Sequence, residues 1–392
     1  MTAAVPVAAG SQSRNGHPGR RASGIREVQH FDCAGGGQIV VDGNIAYVAH
    51  MKGPKAVSII DVSNPRRPKE IAAVPIPRAD MHSHKVQVKD GIMITNYEML
   101  RGIERPTDHI RGGLKIYNVS KPSNPRLITV WECDGRGAHR FTYDGRYAYV
   151  SPEVEGYDGN ICMILDLQDP ARPQEVGRWH APGQWEAGGE ERPWRSRSVR
   201  CHHAIREGDR LYVSYWHGGW YILDISDMSK PRKVSGIDWS PPFPWPTHSC
   251  LPIPFEVHGR RIVLVTDEDV DKLSPAGPSF LWVVDRTDET HPMPFSSFQV
   301  PGIDGSKETP WFTGCHQPVQ QVRGTEIPVA WFSYGMRVID ISDPHNIKEV
   351  AFYVPPVYPE ADRAQTNDVY EDDRGLIYVL DRIRGLSIVE RS

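Results

Sequence analysis

The chain has 392 residues, with 45 Lys and Arg against 49 Asp and Glu and a net charge of −4. So even a balance excludes the basic footprint of a nucleic-acid or anionic-membrane binder. Six cysteines in so long a chain exclude a disulfide framework, and no apolar run nears the roughly 20 residues that cross a bilayer.

Residues 1–24 are small, polar and unpatterned, and Pro6 interrupts their few apolar side chains. They lack the basic and apolar regions of a signal peptide. They read as a disordered tail on a cytoplasmic protein, with residues 25–392 forming one domain. Residues 56–77, AVSIIDVSNPRRPKEIAAVPIP, then set a pattern: a strand ending in Asp, a turn of Ser, Asn and Pro, and a second strand. The marker position recurs at Asp61, Asn118, Asp166, Asp224, Asp285, Asp340 and Glu390. Spacings of roughly 50–60 residues are those of propeller blades.

The third copy, residues 136–184, shows the unit whole. Strand a starts at His139 and ends before the Asp144-Gly145 pair, which tolerates the positive φ of a tight hairpin. Strand b runs from Tyr147 and strand c from Ile161 to Asp166. A turn carrying Pro, which cannot donate to a ladder, leads into strand d at Gln174. The last copy, from Asp368 to Glu390, lacks strand d. Ile25–Phe31 has the wording of a d strand, so the N-terminal strand is expected to complete the last blade. The fold class is therefore all-β, a seven-bladed β-propeller with its ring closed by that strand. The repeated Ile-Asp-Val/Ile-Ser-Asp/Asn-Pro phrase resembles the repeat of the LVIVD-repeat β-propeller family, from residue 25 onward. The resemblance implies the fold and little about chemistry.

The copies differ in their loops and histidines. Turns a–b and c–d are short throughout. The insertions are b–c loops at 97–112, 152–160 and 267–279 and d–a connections at 180–199, 300–314 and 354–366, all expected on one face, where propeller sites reside. Strand a starts at that face and lines the channel. Aligned on the a–b turn, His84, His139 and His202 share a position with Asp368, while Gly35, Gly36 and Gly37 leave space in the first copy. His248 and His316 come level if a bulge is allowed. Five imidazoles at one mouth would repel on protonation, and a divalent ion is the natural neutraliser. All-nitrogen ligation suits Fe, Cu, Zn, Ni or Mn rather than Ca or Mg, with Fe preferred.

Strict alternation puts Cys201 and Cys315 away from their histidines and Cys250 beside His248, where it becomes a possible soft ligand. It also puts His203 opposite His202, as an acid–base group or a support for a ligand; His82 is read as similarly placed beside His84. Strand b ends in a second set: His50, Glu98, Glu153, His217 and the run Asp267, Glu268, Asp269. Glu98 and Glu153 are the expected orienters of ligand imidazoles, and Asp368 joins them and His203 as an expected catalytic group. Tyr97, Trp185, Trp194, Trp216, Trp245, Trp311, Arg101, Arg105 and Arg111 would suit a planar organic acid. In architecture the chain is similar to the carotenoid-cleaving oxygenases and the selenium-binding/methanethiol oxidase proteins, both His-rich propellers; that similarity implies an Fe- or Cu-dependent oxidation of a small molecule. A Zn or Mn hydrolase or lyase on the same site, and a non-catalytic binding scaffold, are the other expectations.

Overall fold

The computed structural model describes residues 21–76, 78–100, 111–194, 197–240, 242–269, 279–301, 313–358, 361 and 363–392. Among them the sole helical element is a 3-10 turn at Glu186–Gly188. The repeats fold as antiparallel meanders. In blade 1 the strands Gly36–Asp42, Ile45–His50, Lys55–Asp61 and Lys69–Pro75 pair in sequence order. The later blades start their inner strands at Val86–Lys89, Asp134–Tyr143, Val199–Glu207, Thr247–Pro252, Gln317–Pro318 and Thr366–Glu371. Each of these opens its own four-stranded ladder, giving seven among the described residues.

The marker residue of the repeat has a local task. The Asp61 carboxylate accepts the Ser63 N–H at 2.9 Å, Asp166 that of Gln168 at 2.8 Å and Asp224 that of Ser226 at 2.9 Å. A short acidic side chain closing its own turn explains why the c–d corner keeps Asp or Asn. It is a turn device and carries no chemistry. The core lies between blades: Ile94, Leu114 and Ile116 of blade 2 meet Phe141, Ala148 and Val150 of blade 3 in one buried cluster.

Ile25–Phe31 pairs with Gly385–Arg391, so the two chain ends share the last blade. Ile25 is buried, and Arg384 meets Glu27 at 3.1 Å. Of the expected tail, residues 1–20 lie outside the described residues. Ala22 and Ser23, assigned to it above, instead pair with Tyr353 and Phe352, because the strand that closes the ring brings them against the open edge of the blade before it. No described helix is long and apolar enough to cross a membrane.

Candidate metal centre

Ladder partners fix which residues are equivalent. Ile39, Val86, Phe141, Ala204, Cys250, Pro318 and Val369 stand opposite Val48, Thr95, Val150, Val213, Val265, Val329 and Val379. Two residues before the first set come Gly37, His84, His139, His202, His248, His316 and Asn367, an upper tier around the channel. One residue before it come Gln38, Lys85, Arg140, His203, Ser249, Gln317 and Asp368, a lower tier. The register slips just ahead of this point in five ladders. A bulge breaks the two-residue period, so consecutive side chains both reach the channel.

Three expectations change for that reason. Asp368 is not level with the histidines; Asn367 is, and Asp368 belongs to the lower tier. His203 does not turn away from the channel but lies in it, below His202, with Nδ1 3.0 Å from Ser249 Oγ. Cys250 faces the apolar core with Tyr212, Trp220 and Val263 rather than the imidazoles, and Cys201 and Cys315 sit in cores as expected. The space left by Gly37 is already used, since a Cβ there would lie 2.5 Å from the His84 carbonyl oxygen.

The five imidazoles form a continuous arc. Ring centroids are 5.0 Å apart from His84 to His139 and from His139 to His202, then 4.4 Å to His248 and 4.0 Å to His316. Their partners fix the tautomers. His202 Nδ1 lies 2.8 Å from the His248 carbonyl, which can only accept, so Nδ1 carries the proton. His139 Nδ1 lies 2.9 Å from Glu98 and donates likewise. Both Nε2 lone pairs then point at each other across 3.2 Å. Two acceptors cannot bond one another, so a proton or a metal ion belongs between them. Burial holds His202 well below the ordinary imidazole range, which disfavours the proton. Metal–nitrogen bonds of about 2.1 Å would subtend roughly 100° across that gap, the angle of adjacent ligands.

Burial also keeps His84, His203, His248 and His316 well below the usual value, and metal ligation requires neutral imidazole. His316 donates Nδ1–H to the Asn367 carbonyl, leaving Nε2 3.7 Å from Glu268. His202, His248 and Glu268 each place a ligand atom within 4.8 Å of the others. His248 has a second claimant. Its Nε2 accepts from Arg140 Nη1 at 3.2 Å, and its Nδ1–H donates to Ser249 at 2.9 Å.

Arg140 leaves blade 3, crosses the axis and also donates to Gln317 of blade 6. It is fully buried, so its guanidinium bars the channel beneath the imidazoles. Beside it Lys85 is buried with its amine driven well below its ordinary value by desolvation. Burial raises the Asp368 carboxyl to about 6; its Oδ2 accepts the Ile39 N–H at 2.9 Å and its Oδ1 has no partner. Asp368 is thereby placed below the bar, at the floor of a 230 Å³ cavity that opens on the opposite face among Gln38, Gln87 and Gln320.

Three residues beyond the strand-b ladder positions stand Met51, Glu98, Glu153, Trp216, Glu268, Phe332 and Arg382. Glu98 meets His139 Nδ1 at 2.9 Å and His82 Nε2 at 3.0 Å. His82 lies with His84, at 4.3 Å between rings. Glu153 accepts the Arg136 N–H at 2.8 Å and braces the backbone leading to His139. Glu268 was absent from the expected ligands, although its place in the same register as Glu98 would have found it. Phe332 was missed, and it is the counterpart of Trp216, which was expected in the aromatic lining. Each packs on a channel imidazole, 4.8 Å from His202 and 4.5 Å from His316, with Arg200 and Arg382 over the rings. Both hold positive φ, 50° and 39°, a strained conformation for bulky residues that clusters at functional sites.

The other aromatic and basic candidates do not gather there. Trp185 stacks on Tyr157, Trp194 packs on the third and fourth blades, Trp245 is buried, Tyr97 carries Lys115 and Arg111 pairs with Asp134. Arg101, Arg105 and Trp311 lie outside the described residues, as do most of the loops at 97–112, 267–279 and 300–314. Loop 152–160 and connection 180–199 do meet, through Tyr157 and Trp185.

His50, at the end of strand b in blade 1, is buried against Ser58 Oγ at 2.9 Å, and desolvation pulls it down to about 4. Its native pKa is depressed, so between about pH 6.5 and 4 the unfolded chain binds a proton the native one refuses. Stability is full above that window and is lost as pH falls through it. His50→Gln is expected to flatten this acid limb by up to about 3 kcal/mol, read by urea unfolding at pH 7 and 4.5. An unchanged limb would clear His50 of the effect.

A family model described as the LVIVD repeat matches residues 36–74, 207–238 and 328–354. No curated protein matches the chain. Among solved structures the chain is similar to one from the crystal structure of a mitotic checkpoint complex, at 9% identity and TM-score 0.59, covering 100% of this chain and 99% of that one. It is similar also to the C-terminal WD40 domain of Sif2, at 12% identity and TM-score 0.57 over 93% and 98% of the two chains. Sqt1 of Saccharomyces cerevisiae follows at 9% and 0.54, over 92% and 86%. At such identities the likeness concerns the fold alone: the chain carries LVIVD repeats on an all-β propeller.

Proposed function

From this LVIVD-repeat β-propeller we propose a metal-dependent enzyme whose ion lies between His139 and His202, with His248, His316 and Glu268 within reach of it. The reading rests on one observation above others, the two Nε2 lone pairs facing each other across 3.2 Å. An imidazole-rich shell suits a first-row transition metal, Fe first and then Cu, Zn or Mn, and when bound such an ion supplies redox or Lewis-acid chemistry. Glu98 fixes the His139 tautomer, and the buried chain around it excludes water. Lys85, Arg140, Arg200 and Arg382 surround the centre, which favours a small planar organic anion as substrate, and we assign the reaction to the oxidoreductases. Six free, buried cysteines accord with a cytoplasmic location.

A scaffold role, the reading that the checkpoint and WD40 neighbours suggest, would leave the facing lone pairs without a purpose. The test is metal analysis of protein purified without an affinity tag, then oxygen uptake with aromatic carboxylates after anaerobic loading. At least one transition-metal equivalent per chain is expected. No uptake of Fe(II), Cu(II), Zn(II) or Mn(II) would overturn the proposal, and bound Zn or Mn without oxygen consumption would move it to the hydrolases or lyases.

A further inference from the structure

Among the described residues the buried Glu98 carboxylate pairs with imidazoles alone: His139 Nδ1 at 2.9 Å, His82 Nε2 at 3.0 Å and His84 Nδ1 at 3.9 Å. Glu268, the corresponding group of blade 5, lies in the field of Arg382, Lys85, Arg200 and Arg140. Among the described residues no Lys or Arg side chain comes within ion-pair distance of Glu98, and a carboxylate buried without a cation is costly.

The rings beside it also have spare donor atoms. Asn96 accepts the Lys85 N–H through Oδ1 at 2.8 Å, which fixes its amide nitrogen toward His84 Nδ1 at 3.1 Å, the Ala138 carbonyl at 3.1 Å and the His139 carbonyl at 3.3 Å. Two hydrogens cannot serve three acceptors. Satisfying both carbonyls leaves the His84 Nδ1 lone pair facing Glu98. In His82 the contact to Glu98 uses Nε2, while Nδ1 is buried without a partner. His82, His84 and Glu98 each offer a ligand atom within 4.8 Å of the other two.

We propose that His82, His84 and Glu98 hold a second divalent transition-metal ion, separate from the one between His139 and His202. Two imidazoles and a carboxylate suit Zn(II), Mn(II) or Fe(II). The ion would supply the charge that Glu98 lacks. His139 links the two sites, its Nδ1–H held by Glu98 and its Nε2 turned to the central ion. The inference goes beyond the proposed function, which needs only the central ion.

The experiment strips the full chain with a chelator, reloads it with Zn(II) or with Mn(II), and counts bound metal by mass spectrometry after desalting. About two equivalents are expected in the wild type, about one in His82→Ala, about one in His202→Ala and none in the double variant. His82→Gln, which keeps a hydrogen bond to Glu98, replaces His82→Ala if that variant fails to fold. A wild type that saturates at one equivalent, kept by His82→Ala and lost by His202→Ala, overturns the second site and leaves the proposed function standing. No metal in the wild type overturns both.

Discussion

A chain lacking residues 1–31 is expected not to reach a folded monomer. The last blade supplies three strands of its own, and Ile25–Phe31 supplies the fourth. Deleting it leaves the backbone of Gly385–Arg391 unpaired, opens the cores that Ile25 and Phe31 enter, and removes Glu27 from Arg384 and Tyr353. Ladder bonds at about 1 kcal/mol each and apolar side chains at about 2 kcal/mol each sum to roughly 5–10 kcal/mol. A loss of that size equals the whole stability of many domains. The bare edge would also recruit other chains. Circular dichroism and size-exclusion chromatography should find unfolded or aggregated material, and a peptide covering residues 21–33 should restore a monomer when added during refolding. A truncated chain with the wild-type denaturation midpoint would refute this account of closure.

His202→Ala is expected to keep the fold and lose the central ion. Its imidazole belongs both to the facing pair with His139 and to the group with His248 and Glu268. Replacing a buried ring by methyl costs about 3 kcal/mol in packing, short of what unfolds a domain with interblade cores. Affinity for the metal should fall at least about 100-fold, since even outer-sphere partners cost 10–100-fold when removed. Equilibrium dialysis against Zn(II) or Mn(II) reads the change directly. A variant that binds the central ion as tightly as the wild type would exclude His202 as a ligand and, with it, the assigned chemistry.

The repeat made the propeller legible, and its missing last strand located the closing strand at the other end of the chain. The five channel histidines were legible too, because each precedes a recognisable a–b turn. What could not be read was depth. Strict alternation sent His203 and Cys250 to the wrong sides, and alignment on the a–b turn promoted Asp368 by one level. These errors come from the slip of register at the start of the inner strands, where the local sequence around Val199 carries no Gly or Pro to betray it. Phe332, and the channel-facing place of Glu268 and Trp216, were recoverable. They stand the same three residues past a β-branched strand position as Glu98, but two of them follow in chemically unlike company, so matching by residue type passed over a match in place.

The Arg140 guanidinium has a consequence for traffic. With a buried cation wedged across the hub, the bore is a well and not a pipe. Under the proposed enzyme function, a product would leave on the side it entered before the next guest is seated. Turnover would then be paced by emptying as much as by reaction, and accumulated product should slow it by simple occupancy.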